Sequence, residues 1–264
     1  MTPLAIEGVA LVGPGIVDWA SARDMLAGRV PYAAAPTAIP APALLPPNER
    51  RRSGLAVKVA LAAGAAALAA CGREAAGIAA VFASSAADGD TCHAICEQLA
   101  GSDRLISPTR FHNSVHNAPS GYWSIATRSM APSTSVCAYD ASFCAGLLEA
   151  AALAHARGEA VLLIAYDAPY PQPLLARRPI PDCFGLGLVL APTASARSIA
   201  QLQLQLDAGS PETLSDPALE ALRRAIPTAR ALPLLGLLAR GARGTARLDF
   251  QDGLALQATV TPCS

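Results

Sequence analysis

Phe111 to Glu149 reads FHNSVHNAPSGYWSIATRSMAPSTSVCAYDASFCAGLLE, and its second half decides the fold. The run Ala131-Pro132-Ser133-Thr134-Ser135-Val136 is a strand of small residues that leads straight into a helix opening at Asp140-Ala141-Ser142. A helix N-terminus carries unpaired N–H groups and the positive end of the macrodipole, so a carboxylate is stabilised there. Asp is also among the best N-cap residues. Asp140 therefore reads as a helix-starting residue with no catalytic duty.

Working outward, residues 4–13 (LAIEGVALVG) form an expected strand that Gly13-Pro14-Gly15 ends. Residues 18–28 (DWASARDMLAG) read as a short helix with a glycine stop. Six prolines at 31, 36, 40, 42, 46 and 47 make the next segment a surface loop. Glu49 and Arg50–Arg52 then lead into the apolar run GLAVKVALAAGAAALAAC, a helix buried between layers. Lys58 lies within that run and Ala inserts weakly into lipid, which argues against a membrane span. Residues 77–85, 161–166, 184–191 and 199–206 read as strands, with a helix between Asp90 and Leu99. Residues 217–226 make one more helix, and RLDF and LALQATV a closing hairpin around Gln251-Asp252-Gly253. Strands alternating with buried helices give an α/β layered architecture. The expected division is a main domain over 1–206 and an extension over 207–264 packed on it.

The 264 residues carry 20 basic and 20 acidic side chains, so no global field recruits nucleic acid or an anionic membrane. With 15% charged and 52% apolar residues, the surface is poor in charge, which points to a large partner interface. Seven cysteines, an odd number, close no disulfide framework and fit a reducing compartment. The start MTPLAIEGVALVG has no basic n-region and holds Glu7 in its apolar run, so a cytoplasmic protein without a signal peptide is expected.

Several side-chain groups could carry chemistry, and each has a plainer explanation. Cys92, His93 and Cys96 lie close together and His112 and His116 are four apart, but without a second Cys-x-x-Cys pair the spacing is not that of a structural zinc site. No metal or other cofactor is expected. Cys137 or Cys144 with His116 or His155 could make a Cys–His hydrolase or transferase. Cys144 lies on an apolar stretch where a thiol behaves as a small hydrophobe, and His155 suits a helix C-terminus. Gly185-Leu186-Gly187 lacks the third glycine of a dinucleotide loop. Tyr122, Trp123 and Phe143 are bulky groups in an aromatic-poor chain, and core packing is their ordinary use.

The Ala131–Glu149 segment resembles the nucleophile-bearing segment of β-ketoacyl synthases, the condensing enzymes of the thiolase-like superfamily. Their pattern is Gly-Pro-Ser, alternating Ser and aliphatic residues, then a Cys at the helix N-terminus. Aligned from Pro132 and Ser133, the nucleophile position falls on Asp140, so the thiol is missing. An acyl-Asp anhydride would hydrolyse far more readily than a thioester. The resemblance runs in order from residue 4 to about 206 through Gly8, Gly13, Trp19, Leu26, Gly28, Arg50–Arg52, Asn113, Gly121 and Ile125. It implies the N-terminal half of the thiolase-like fold, with a layered sheet, a buried helix and a small C-terminal helix and hairpin. No His follows His155, so the catalytic histidines of the other half are expected to be absent.

NSVHNAPSGYWSIAT followed by DASFCAGLLEA looks similar to short β-ketoacyl synthase-like N-terminal proteins found with aryl polyene and related lipid gene sets. These resemble chain-length factors. The resemblance implies no catalytic residue and a heterodimer with a ketosynthase subunit that makes a polyene or fatty acyl chain. It implies an interface at Ser133, Thr134, Ser135, Val136, Cys137 and Ala138. Tyr122, Trp123 and Phe143 would lie near the strand–helix corner as candidates for an acyl tunnel. An acyl carrier protein is a further implied partner. The competing expectations are a free-standing acyl-thioester hydrolase or transferase using a Cys or Asp140, and a scaffold that binds the carrier protein.

Overall fold

The computed structural model describes residues 2–86 and 88–263. Eight strands form one sheet: β1 Leu4–Val12, β2 Ala79–Ala83, β3 Ser133–Val136, β4 Val161–Asp167, β5 Phe184–Ala191, β6 Ala200–Asp207, β7 Gly244–Gln251 and β8 Leu254–Pro262. The helices are α1 Trp19–Leu26, α2 Pro47–Arg52, α3 Leu55–Cys71, α4 Gly89–Ala100, α5 Pro108–Asn113, α6 Ala118–Thr127, α7 Ser142–Arg157, α8 Leu174–Arg177, α9 Pro217–Ala225 and α10 Leu232–Arg240. The strand order is β3-β2-β4-β5-β1-β6-β8-β7. β2 pairs in parallel with both β3 and β4, and every other pairing is antiparallel.

Burial follows the covering layers. β1, β2, β4 and β5 are buried at every position, as near-continuous apolar strands between two helical layers should be, with only Glu7 and Asp167 charged. One layer contains α1, α7 and α10 over a core with Phe143, Leu147, Leu163, Leu188 and Leu235. The other contains α3 and α6 over Val59, Phe82, Trp123, Ile164 and Val189. The inner alternation of β6 has a different cause. Its Ala200, Leu202 and Leu204 are buried while Gln201, Gln203 and Gln205 are exposed, because helices cover that end of the sheet on one face only. Residues beyond 206 continue the same sheet, with every residue of β6 paired to β8 and β7 paired to β8.

Small residues bring α3 down onto the sheet. A Cβ at Gly8 would lie 2.3 Å from the Ala67 carbonyl oxygen, and one at Gly187 would lie 2.4 Å from that of Ala63. Backbone cannot yield at such distances, so these glycines set the closeness of the helix and strands. The outer side of α3 presents Ala66, Ala69 and Ala70 to solvent. The helix is 17 residues long. Among the described residues, no helix is long and apolar enough to cross a membrane.

Sequence and structure differ in three places around these elements. The strand expected from Ala131 begins at Ser133, since Ala131 follows the α6 end that Arg128 closes in a left-handed turn. The stretch around His112 and His116, to which the sequence reading assigns no helix, holds the end of α5 and leads into α6 at Ala118; each helix has proline in its first turn and no side-chain cap. α10 follows a proline-led 3₁₀ turn over Pro227–Ala231 and was not expected; its Leu-rich run fills the core beneath α1.

Candidate functional site

The three parallel strands end together, and the corner of interest is built on their carboxyl ends, where open α/β sheets place their sites. β3 ends at Val136, and the chain passes Cys137 and Ala138 to Tyr139, which takes a left-handed backbone with φ of 52°. A 3₁₀ turn over Tyr139–Ala141 follows, and then α7. Ser142 fastens this turn: its Oγ accepts from the Ala138 N–H at 3.0 Å and donates to the Tyr139 carbonyl at 2.6 Å. A bulky residue in the left-handed region costs on the order of 1–2 kcal/mol, which the surrounding contacts must hold in place.

Asp140 does not cap α7. The N-cap position falls on Ala141, and no side chain caps that end. The Asp140 carboxylate instead accepts from two arginines, Oδ1 from Arg178 Nη2 at 2.7 Å and Oδ2 from Arg230 Nη2 at 2.9 Å. Two full charges outcompete the weaker N–H groups of a helix end. Asp140 is half-buried at 36% side-chain exposure, while Arg178 and Arg230 fall to 14% and 21%. The Arg178 guanidinium also lies 3.6 Å from the centre of the Tyr139 ring, a cation–π contact that helps fix the left-handed residue.

A second carboxylate sets the floor of the corner. Asp167, at the end of β4, is fully buried and accepts four hydrogen bonds. Ser85 donates its N–H at 3.0 Å and its hydroxyl at 2.6 Å, and Thr228 donates its N–H at 2.8 Å and its hydroxyl at 2.7 Å. Burial pushes the carboxyl above its usual range while these donors pull it back. Asp167 thereby ties the end of β2 to the turn that carries Arg230.

An open cavity of about 820 Å³ reaches this corner, lined by Tyr139, Asp140, Arg230, Phe250, Gln251 and neighbouring backbone. The four histidines lie away from its lining. His93 pairs with Glu97, His155 meets the Thr2 carbonyl, His112 packs edge-on to Tyr122, and the Nε2 of His116 is buried without a hydrogen-bond partner among the described residues. All seven cysteines are free. Cys144 is buried, with its Sγ 3.1 Å from the Asp249 carbonyl, and burial pushes its thiol well above the ordinary value. Cys137 is exposed beside the corner, its Sγ 3.4 Å from the Ser85 carbonyl.

The three aromatic candidates are not brought together at the strand–helix corner. Phe143 is buried at 1% exposure in the core under α7. Tyr122 and Trp123 lie in the core on the opposite side of the sheet, because α6 packs against α3. Tyr122 donates to Asn113 Oδ1 at 2.9 Å, and Asn113 in turn donates to the Arg52 carbonyl. Trp123 meets Phe82 edge-on at 6.5 Å. Ser133 to Val136 form the edge strand of the sheet, with Cys137 and Ala138 continuing from it. Sequence reasoning missed Arg178, Arg230 and Thr228, which come from turns with no local signal. It missed Asp167 too, since the expected strand stops at Tyr166; a lone charge closing an apolar run was the signal that could have found it.

The family model described as the β-ketoacyl synthase N-terminal domain matches residues 19–242. No curated protein matches. Among solved structures, a chain of a ketosynthase in complex with its chain length factor from Xenorhabdus doucetiae is 23% identical, with a TM-score of 0.75 over 98% of this chain and 100% of that one. A chain of the ishigamide ketosynthase/chain length factor gives a TM-score of 0.72 at 14% identity over the whole of both chains. A β-ketoacyl synthase from Burkholderia phymatum gives 0.60 at 16% identity, over 92% of this chain and 71% of that one. By the extent of the family match, this chain belongs to the β-ketoacyl synthase N-terminal domain family.

Proposed function

We propose that the chain is a non-catalytic, chain-length-factor-like subunit that pairs with a ketosynthase in type II synthesis of a polyene or fatty acyl chain, with an acyl carrier protein as the further partner. The observation that carries this reading is the pair of salt bridges on Asp140. At the position where the family resemblance puts a thiol nucleophile stands a carboxylate committed to two arginines. Such a group is engaged on both oxygens and is a poor acyl carrier. The reading of a free-standing thiol enzyme gains little support, since Cys144 is buried and held protonated.

The pairing surface we assign is the outer edge of β3, Ser133–Ala138. Among the described residues that edge has no partner strand. Met130 before it is 95% exposed, and Ile125 and Tyr139 nearby are also exposed. An unpaired edge flanked by apolar side chains favours strand addition from a second subunit.

Co-expression with candidate ketosynthases followed by size-exclusion chromatography is the test. A stable one-to-one complex is expected, and intact-mass analysis of the lone chain after incubation with acyl-carrier thioesters should show no adduct. A stoichiometric acyl adduct, on Asp140 or any cysteine, would replace this reading with that of an enzyme.

A further inference from the structure

We propose that the outer side of the Asp140 corner is a binding site for a phosphate group. A separate cavity of about 230 Å³ opens there, lined by Tyr139, Asp140, Arg177, Arg178, Arg224 and Pro227 among others. Arg177, Arg178 and Arg224 line it with the single carboxylate of Asp140, which Arg230 also shares, so positive charge is in excess there. A phosphate carries about −1.5 to −2 at neutral pH and offsets more of that excess than a carboxylate does. Arg177 and Arg224 are exposed and form no salt bridge among the described residues.

Arg178 supplies the second observation. Its Nη2 is committed to Asp140, and its Nε and Nη1 are buried and closed off from the cavity, with the Tyr139 ring stacked on the guanidinium. Arg178 therefore adds its charge at short range, while the exposed guanidinium forks of Arg177 and Arg224 are the groups that can meet the oxygens of a phosphate. The cavity is smaller than the ~300–1,000 Å³ of pockets that enclose drug-sized ligands, so it suits a headgroup and not a whole organic molecule. The phosphate could be a free ion or the end of a larger ester. The site does not depend on pairing with a ketosynthase.

Isothermal titration of the full chain at constant ionic strength tests this, with inorganic phosphate and glycerol 3-phosphate as probes. Saturable one-to-one binding is expected for at least one of them. It should weaken at least ten-fold in the double variant Arg177→Ser/Arg224→Ser and stay unchanged in Arg243→Ser, an exposed arginine elsewhere. Both variants alter exposed side chains, and an unchanged near-ultraviolet circular dichroism spectrum verifies that they fold. Tenfold tighter binding of the ester supports the site with an ester as its ligand, and comparable affinities support it with the free ion. Absence of saturable binding of either probe, or equal affinity in the double variant, overturns the proposal.

Discussion

At the scale of single residues, the Asp140 carboxylate is the counter-ion of Arg178 and Arg230, so replacing it with a thiol has a structural consequence. Asp140→Cys should destabilise the chain by about 1–3 kcal/mol, less than the loss of one partner from a fully buried pair because the carboxylate is partly solvated. Urea denaturation checks this, and a variant as stable as the native chain would show that the arginines need no counter-ion. Asp140→Cys is expected to gain acyl capture at most, read as an intact-mass adduct, because charge stabilisation for condensation would still be missing. Asp167 is the stronger structural residue. In Asp167→Asn the amide would turn N–H groups toward the donors of Thr228 or Ser85, so a loss of roughly 1–3 kcal/mol is expected for each donor left unpaired.

The elements carry predictions of their own. The Ala80 N–H donates to the Pro132 carbonyl and the Ser84 N–H to that of Val136. In a parallel ladder this turns residues 132, 134 and 136 toward β2, and the backbone groups of Ser133, Ser135 and Cys137 toward the open edge. Ser135→Pro should therefore abolish the complex with a ketosynthase while the lone chain keeps its stability, because proline removes a donor only from the outer edge. Retention of the complex on size-exclusion chromatography would exclude this edge as the interface. A second element-scale effect concerns α9 and the hairpin. Glu220 accepts from Arg223 and from the Leu214 N–H, and Arg223 also pairs with Asp249 on β7. The Arg223 hydrogen bond holds the Glu220 carboxyl down at about 2, from an ordinary 4.5. A carboxyl depressed in the folded state stabilises above its ordinary value and loses that contribution as pH falls through the folded value. The stability gap between the native chain and Glu220→Gln should thus be full above pH 4.5 and close as pH approaches 2. A gap that does not change with pH would exclude the charge as its source.

At the scale of the whole molecule, the proposed pairing makes the side of the sheet on which each aromatic stands the point to test. Of the three aromatic candidates, Phe143 alone shares the α7 side of the sheet with Asp140, one helical turn below it. Phe143→Ala should cost about 3–5 kcal/mol as a large-to-small change in a packed core. If Phe143 also walls the acyl path, the reconstituted pair should yield longer products by mass spectrometry; an unaltered product distribution would leave it a core residue alone. By itself the sequence determined the strands β1, β4 and β5, the Ala-rich α3, the β7–β8 hairpin and the position of Asp140 after a small-residue strand. Each of those signals is local: apolar continuity, turn residues and spacing along a few residues. Only the tertiary structure decided what Asp140 does, because Arg178 and Arg230 come 38 and 90 residues later in the chain. It likewise decided that Tyr122 and Trp123 face away from Phe143, since which side of a fully buried sheet a helix covers is fixed by chain crossover and packing, and both sides are equally apolar.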